Sequence, residues 1–100
     1  MKTTILEQDE RIVAVLEGEL DTAAAQEVET ALQPLFSNSS RDVIFDCANL
    51  DYIASSGLRI MLSILKSAKA NGHKVVLKDV NDEIKNVFKL TGFISLFDFE

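Results

Sequence analysis

The sequence has one histidine, one cysteine, one proline and no tryptophan in 100 residues. The single histidine, His73, excludes any catalytic triad or metal centre that needs two imidazoles. The single cysteine, Cys47, excludes an internal disulfide and a CxxC site. No apolar run reaches the ~18 residues needed to cross a bilayer. The segment Met1–Glu7 lacks the apolar stretch and cleavage site of a secretory signal, so the expectation is a cytoplasmic protein. The proline and the four glycines are isolated, and there is no repeat, linker or low-complexity tract. Hydrophobic residues make up 47% and charged residues 26%. A chain of this size and composition buries roughly 65% of its unfolded surface, which points to one packed domain over residues 1–100.

Charge is unevenly spread. Residues 1–50 carry ten acids against three bases, and residues 51–100 six against seven. An acidic half is poorly matched to a phosphate backbone, which disfavours nucleic-acid binding. It serves either as a solvated surface or as a face that steers toward a basic partner.

Hydrophobic periodicity orders the elements. Thr3–Glu7 reads as an edge strand and Gln8–Glu10 as a hairpin turn. Arg11–Leu16 is a continuous apolar run, as in a strand covered on both faces. Gly18–Thr22 breaks that strand and offers Asp21 or Thr22 as a helix N-cap. Helical spacing runs from Ala23 to about Phe36, where Pro34 kinks or ends it. Ser37–Ser40 is a loop and Asp42–Cys47 a second buried strand. Gly57–Ala70 is a helix with a stripe at Leu58, Met61, Leu62, Leu65 and Ala68, closed by Asn71 and Gly72. Lys74–Lys78 is a third strand. Asn81 caps a last helix that Gly92 ends, and Phe93–Phe99 is a final strand. Strands alternating with helices imply right-handed parallel crossovers. The expected fold is α/β: a mixed, mostly parallel sheet of four to five strands, an N-terminal hairpin, and three main helices mainly on one face.

The most informative segment is Asn49–Arg59. It joins a buried strand to an amphipathic helix, the place where functional groups collect in open α/β sheets. Two adjacent serines open the helix there. Ser55 can serve as N-cap with Ser56 in the first turn. It can also be a modifiable or anion-binding serine, since a helix N-terminus tolerates a phosphate.

The turn Gly18-Glu19-Leu20-Asp21, the strand ending in Asp46, and Tyr52-Ile53-Ala54-Ser55-Ser56-Gly57-Leu58 together resemble the STAS domain. Among STAS domains the similarity is greatest to the bacterial anti-sigma factor antagonists, and it covers essentially the whole chain. The resemblance implies the STAS fold and a regulatory protein with no catalytic activity and no cofactor. It implies an antagonist that binds an anti-sigma factor while unphosphorylated and so releases a sigma factor to activate transcription. It implies that the anti-sigma factor is also a serine kinase, and that a separate phosphatase restores binding. By the same resemblance Ser55 is the phosphoacceptor. Asp21, Asp46, Ala54, Ser55, Ser56, Gly57 and Arg59 form the partner surface. Many family members carry Asp directly before the phosphorylated serine, where this chain has Ala54.

Two further readings stand beside this one. The first is a STAS subunit of another assembly, a stressosome-like complex or a lipid-transport ATPase. The second is a phosphorelay receiver-like domain using strand-end aspartates, with Lys78 before Asp79 as a partial match. Asp46, Asp51 and Asp79 could also line an acidic metal pocket, though capping and turn roles explain Asp51 and Asp79 more simply. Cys47 reads as a small buried hydrophobe and His73 as an exposed turn residue. Ile60 and Ile64 flank the helical stripe, as core or as an exposed patch for a partner.

Overall fold

A computed structural model describes residues 1–36 and 41–100. The elements are β1 (Lys2–Glu7), β2 (Arg11–Leu20), α1 (Thr22–Ala31), α2 (Gln33–Phe36), β3 (Asp42–Ile53), α3 (Ser55–Ala70), β4 (Val75–Lys78), α4 (Asp82–Leu90), a 3-10 turn (Phe93–Ser95) and β5 (Asp98–Phe99). They form one five-stranded sheet in the order β1-β2-β3-β4-β5. β1 runs antiparallel to β2, and every other pair is parallel. The expected mixed sheet with an N-terminal hairpin is therefore the observed one. The loop expected over residues 37–40 lies outside the described residues.

The helices share one face. Ile12, Ala14 and Leu16 of β2, Val43, Phe45 and Cys47 of β3, and Val75 and Leu77 of β4 join a single core. The same core holds Val28 of α1, six α3 residues including Gly57's neighbour Leu58 and Met61, and Ile84 and Phe88 of α4. The alternation of strand side chains does this, because residues two apart share a face. It also corrects one expectation: β2 is not covered on both faces. Val13 and Val15 are only half-buried, and with Ile44 and Val76 they point to the side without helices. Ile44 is nonetheless only 8% exposed and Val76 4%. Long charged chains, among them Arg11, Lys78 and Glu100, line the shallow groove around Ile44 and shelter it with their aliphatic stems.

Three elements differ from the sequence reading. β2 does not break at Gly18 but continues to Leu20, and β3 does not end at Cys47 but continues to Ile53. The register slips between Val15 and Glu17 and again between Gly18 and Glu19, so β3 carries an extra residue at each place. Gly18 has φ +104° there, a backbone conformation that glycine adopts without strain. The third difference is the C-terminal segment, a 3-10 turn and a two-residue strand rather than one strand from Phe93 to Phe99. Its aromatic residues are placed by packing: Phe88 meets Phe97 and Phe99 edge-on, with centroids 5.4 and 5.8 Å apart.

Pro34 acts as expected. α1 stops at Ala31, and the chain restarts as the short α2 with Pro34 in its first turn, where no backbone donor is needed. Ile60 and Ile64 are 6% and 0% exposed, so both belong to the core and neither forms a patch. His73 is half-buried rather than exposed, its Nδ1 3.2 Å from Asp42 Oδ1.

Candidate functional site

The parallel sheet brings two helix starts together. Leu20, the last residue of β2, is the register partner of Ile53, the last residue of β3. The Ala54 amide donates to the Leu20 carbonyl at 2.8 Å. Asp21 follows Leu20 and caps α1, its Oδ1 accepting from the Ala24 amide at 2.8 Å. Ala54 follows Ile53 and occupies the N-cap position of α3 with no side chain to offer. Asn81 fastens a third helix to the same region. Its Oδ1 accepts from the Ile84 amide and its Nδ2 donates to the Leu50 carbonyl.

Ser55 is the first residue of α3 and is exposed. It is not the cap, which corrects the capping role that the sequence allowed for it. Ser56 is half-buried, and its Oγ is buried without a hydrogen-bond partner. Gly57 is packed hard against the strand ends. A Cβ there would lie 2.7 Å from Leu20 Cγ, 2.8 Å from Leu20 Cδ2 and 3.0 Å from Ile53 Cγ1. Only a glycine lets α3 settle this close to β2 and β3 and hold Ser55 at the surface. Arg59 lies one turn beyond Ser55, exposed. It lines a groove of about 300 Å³ between α1 and α3 with Ala25, Glu29, Ser56, Ile60 and Ser63. Glu29 is a site residue that the sequence reading missed. Its proximity to Arg59 depends on how α1 packs on α3, for which 30 residues of separation give no local signal.

Asp46 is placed elsewhere. It sits in mid-β3, between Val15 and Lys78, and not at a strand end. It belongs to the helix-free face, where it lines a groove with Arg11, Ile44 and Lys78, and its Oδ1 accepts from the Ala48 amide at 3.2 Å. The structure therefore brings Asp21, Ala54, Ser55, Ser56, Gly57 and Arg59 to one edge and leaves Asp46 out. Among the described residues no three His, Cys, Asp or Glu side chains converge as a metal site. None of the described helices is long and apolar enough to cross a membrane.

Cys47 is buried in the core. Burial, with smaller contributions from the Asp46 and Asp79 carboxylates, pushes its thiol up to about 12 from 9.0. The thiolate is the nucleophile, so folded protein at pH 8 should resist a thiol-specific chromophoric disulfide and react fully once denatured. The same shift makes the native state hold a proton that the unfolded chain loses. Stability should then fall as pH rises from about 9 toward 12, a slope that Cys47→Ala flattens. Rapid labelling of folded protein would show that the site opens.

Residues 3–100 match the family model of the STAS domain. The chain belongs to the STAS domain family. BtrV of Bordetella bronchiseptica, which carries the name of an anti-sigma factor antagonist, is 33% identical over 97 residues, 97% of this chain and 84% of that protein. The anti-sigma-B factor antagonist of Staphylococcus aureus is 30% identical over 89 residues, 89% of this chain and 82% of that one. Among solved structures, the Bacillus anti-sigma factor antagonist SpoIIAA shares the fold. Its unphosphorylated form has a TM-score of 0.77 at 18% identity, covering 99% of this chain and 87% of its own. Its phosphorylated form has a TM-score of 0.75 at 19% identity, covering 99% and 91%. In this STAS domain the serine pair stands where the β2 and β3 ends meet.

Proposed function

We propose that this STAS domain, a single unit over residues 1–100, is an anti-sigma factor antagonist. It binds an anti-sigma factor while Ser55 is unmodified and so releases a sigma factor to activate transcription. The anti-sigma factor is a serine kinase that phosphorylates Ser55 and ends binding, and a phosphatase restores it. The protein acts in the cytoplasm by contact alone, with no catalysis and no cofactor of its own. ATP and magnesium belong to the kinase. The partner surface comprises Asp21, Ala54, Ser55, Ser56 and Arg59, with buried Gly57 seating the helix start beneath it.

The observation that carries this reading is an exposed serine at the first position of α3. It occurs in a chain whose near full-length relatives bear the antagonist name. Phosphorylation adds about −1.5 to −2 charges and three acceptor oxygens. A helix N-terminus holds such a group without unfolding, whereas a partner packed over Ser55 cannot. The fold need not change; only the interface is spoiled.

Purification of the protein from its own cells with its bound partner, followed by incubation with ATP and magnesium and mass-spectrometric mapping, tests this. The expected partner is a small ATPase of the histidine-kinase type, and the expected phosphate is on Ser55. A transporter ATPase as partner would support the alternative assembly, phosphate on Ser56 would move the register by one residue, and no phosphate would remove the switch.

The acidic excess of residues 1–50 adds a kinetic expectation. If it steers a basic partner, association should slow with added salt while dissociation changes little. A salt-independent association rate would assign those acids to solubility alone.

A further inference from the structure

We propose that Arg59 captures the phosphate on Ser55, so that phosphorylation both adds charge and withdraws the cation that the unmodified protein presents. This rests on the reading of Ser55 as the phosphoacceptor.

Ser55 and Arg59 are four residues apart on α3. Residues at that spacing stand on the same helix face with Cβ atoms about 5–6 Å apart, and an acid N-terminal to a base is the favoured order. Both side chains are exposed, so neither needs to leave the core to meet. Among the described residues the Arg59 guanidinium donates no hydrogen bond and makes no ion pair, although the Glu29 carboxylate lines the same groove. No other Lys or Arg occurs between Ser55 and Lys66. The guanidinium is planar and forked, and it matches two phosphate oxygens at once, which an ammonium does not.

The start of the helix is arranged to the same end. Ala54 puts no acceptor over the first turn, so a phosphate meets no competing carboxylate at the cap. Electrostatically it is drawn to the helix N-terminus and to Arg59 together. In the unmodified state Arg59 is a free cation beside an exposed hydroxyl, available to an acidic group of the partner. In the phosphorylated state that cation is engaged within its own helix. The local charge of the pair changes from +1 to roughly −0.5 to −1, and the partner loses a contact as well as meeting a phosphate.

The test is intrinsic to the chain. Phosphoserine is encoded at position 55 during synthesis, and the second ionisation of its phosphate is followed by phosphorus NMR in the otherwise unchanged protein, in R59Q and in R59K. The other ionisable groups at this end of the molecule include Glu19 and Asp51 near the strand ends, the α1 cap Asp21, Glu29 on α1, exposed Tyr52 on β3, Asp82 and Glu83 in the first turn of α4, and the Met1 amine near Gly18. These groups are the same in all three proteins, so the difference between them reports Arg59. With Arg59 present the ionisation constant should be at least about threefold larger than in R59Q. R59K should fall between, and the difference should shrink in high salt. Equal constants in the parent and R59Q at low salt would overturn the proposal. So would a full effect retained by R59K, which would show a point charge rather than a fork. Because the phosphate is installed synthetically, a kinase that ignores Ser55 would sink the proposed function and leave this result standing.

Discussion

Ser55→Asp should fold normally and bind the anti-sigma factor at least about a hundredfold more weakly than the parent, a loss of about 3 kcal/mol. Folding is expected because Ser55 is the exposed first residue of α3, where an acid is favoured by the helix dipole. Weak binding is expected because the carboxylate places charge where the partner must pack and desolvate it. Ser55→Ala should behave oppositely, abolishing phosphorylation while keeping affinity. The position of the cap sharpens this contrast. Since Ala54 and not Ser55 is the N-cap, the alanine variant loses no capping hydrogen bond and gains slightly in helix propensity. Ser56→Ala should leave phosphorylation intact, and removing its unpartnered buried Oγ should not lower stability. Circular dichroism establishes that the variants fold, and calorimetry measures affinity. Equal affinities for the parent and a folded Ser55→Asp would remove Ser55 as the switch.

Gly57→Ala should destabilise the domain, against the usual preference for alanine within a helix. That preference is worth up to about 1 kcal/mol. Opposing it, the new Cβ would stand 2.7 Å from Leu20 Cγ and 3.0 Å from Ile53 Cγ1. Leu20 Cγ is a branch point in a side chain that is 1% exposed, so it cannot swing aside. Overpacking of this kind costs about 1–3 kcal/mol, and more where neither element can shift. The net result should be a fall in Tm of roughly 5–10 °C, larger for Gly57→Val. Leu20→Ala removes the obstructing atoms at its own cost of about 2–5 kcal/mol. The double variant should therefore be less destabilised than the sum of the two, with a coupling of about 1 kcal/mol or more. Strict additivity in thermal or chemical unfolding would mean that this contact is not why position 57 is glycine. A folded Gly57→Ala should also bind the partner less well, because α3 can accommodate the methyl group only by lifting from the ends of β2 and β3.

The segment around Ser55 and Gly57 is largely legible in the sequence. The 3.6-residue stripe of α3 and the serine pair at its start identify a helix N-terminus without any tertiary information. The family resemblance carried by Gly18–Asp21 and Tyr52–Leu58 is borne out by the match over residues 3–100. The second half of β3 was not readable. Its buried residues Leu50 and Ile53 are three apart with Asp51 and Tyr52 exposed between them, because an extra residue disrupts the two-residue alternation. A strand identified by period two disappears where the period changes.

Asp46 was misplaced for the same reason. Ending the strand there put its carboxylate at the C-terminal edge, whereas the strand continues to Ile53 and its alternation assigns Asp46 to the face without helices. The final segment shows a different limit. Phe93, Ile94, Phe97 and Phe99 have the composition of a strand, yet they are placed around Phe88 and the core, and burial area is indifferent to secondary structure. By itself, then, the sequence determined the order of the main elements and the serine pair at the start of α3, because periodicity and turn residues are local properties of the chain. Only the tertiary structure decided which of the suspected residues share an edge, since that depends on strand register. It also decided that position 57 must be glycine and that Glu29 and Arg59 line one groove, because both follow from how closely α3 packs on strands and on a helix distant in the sequence.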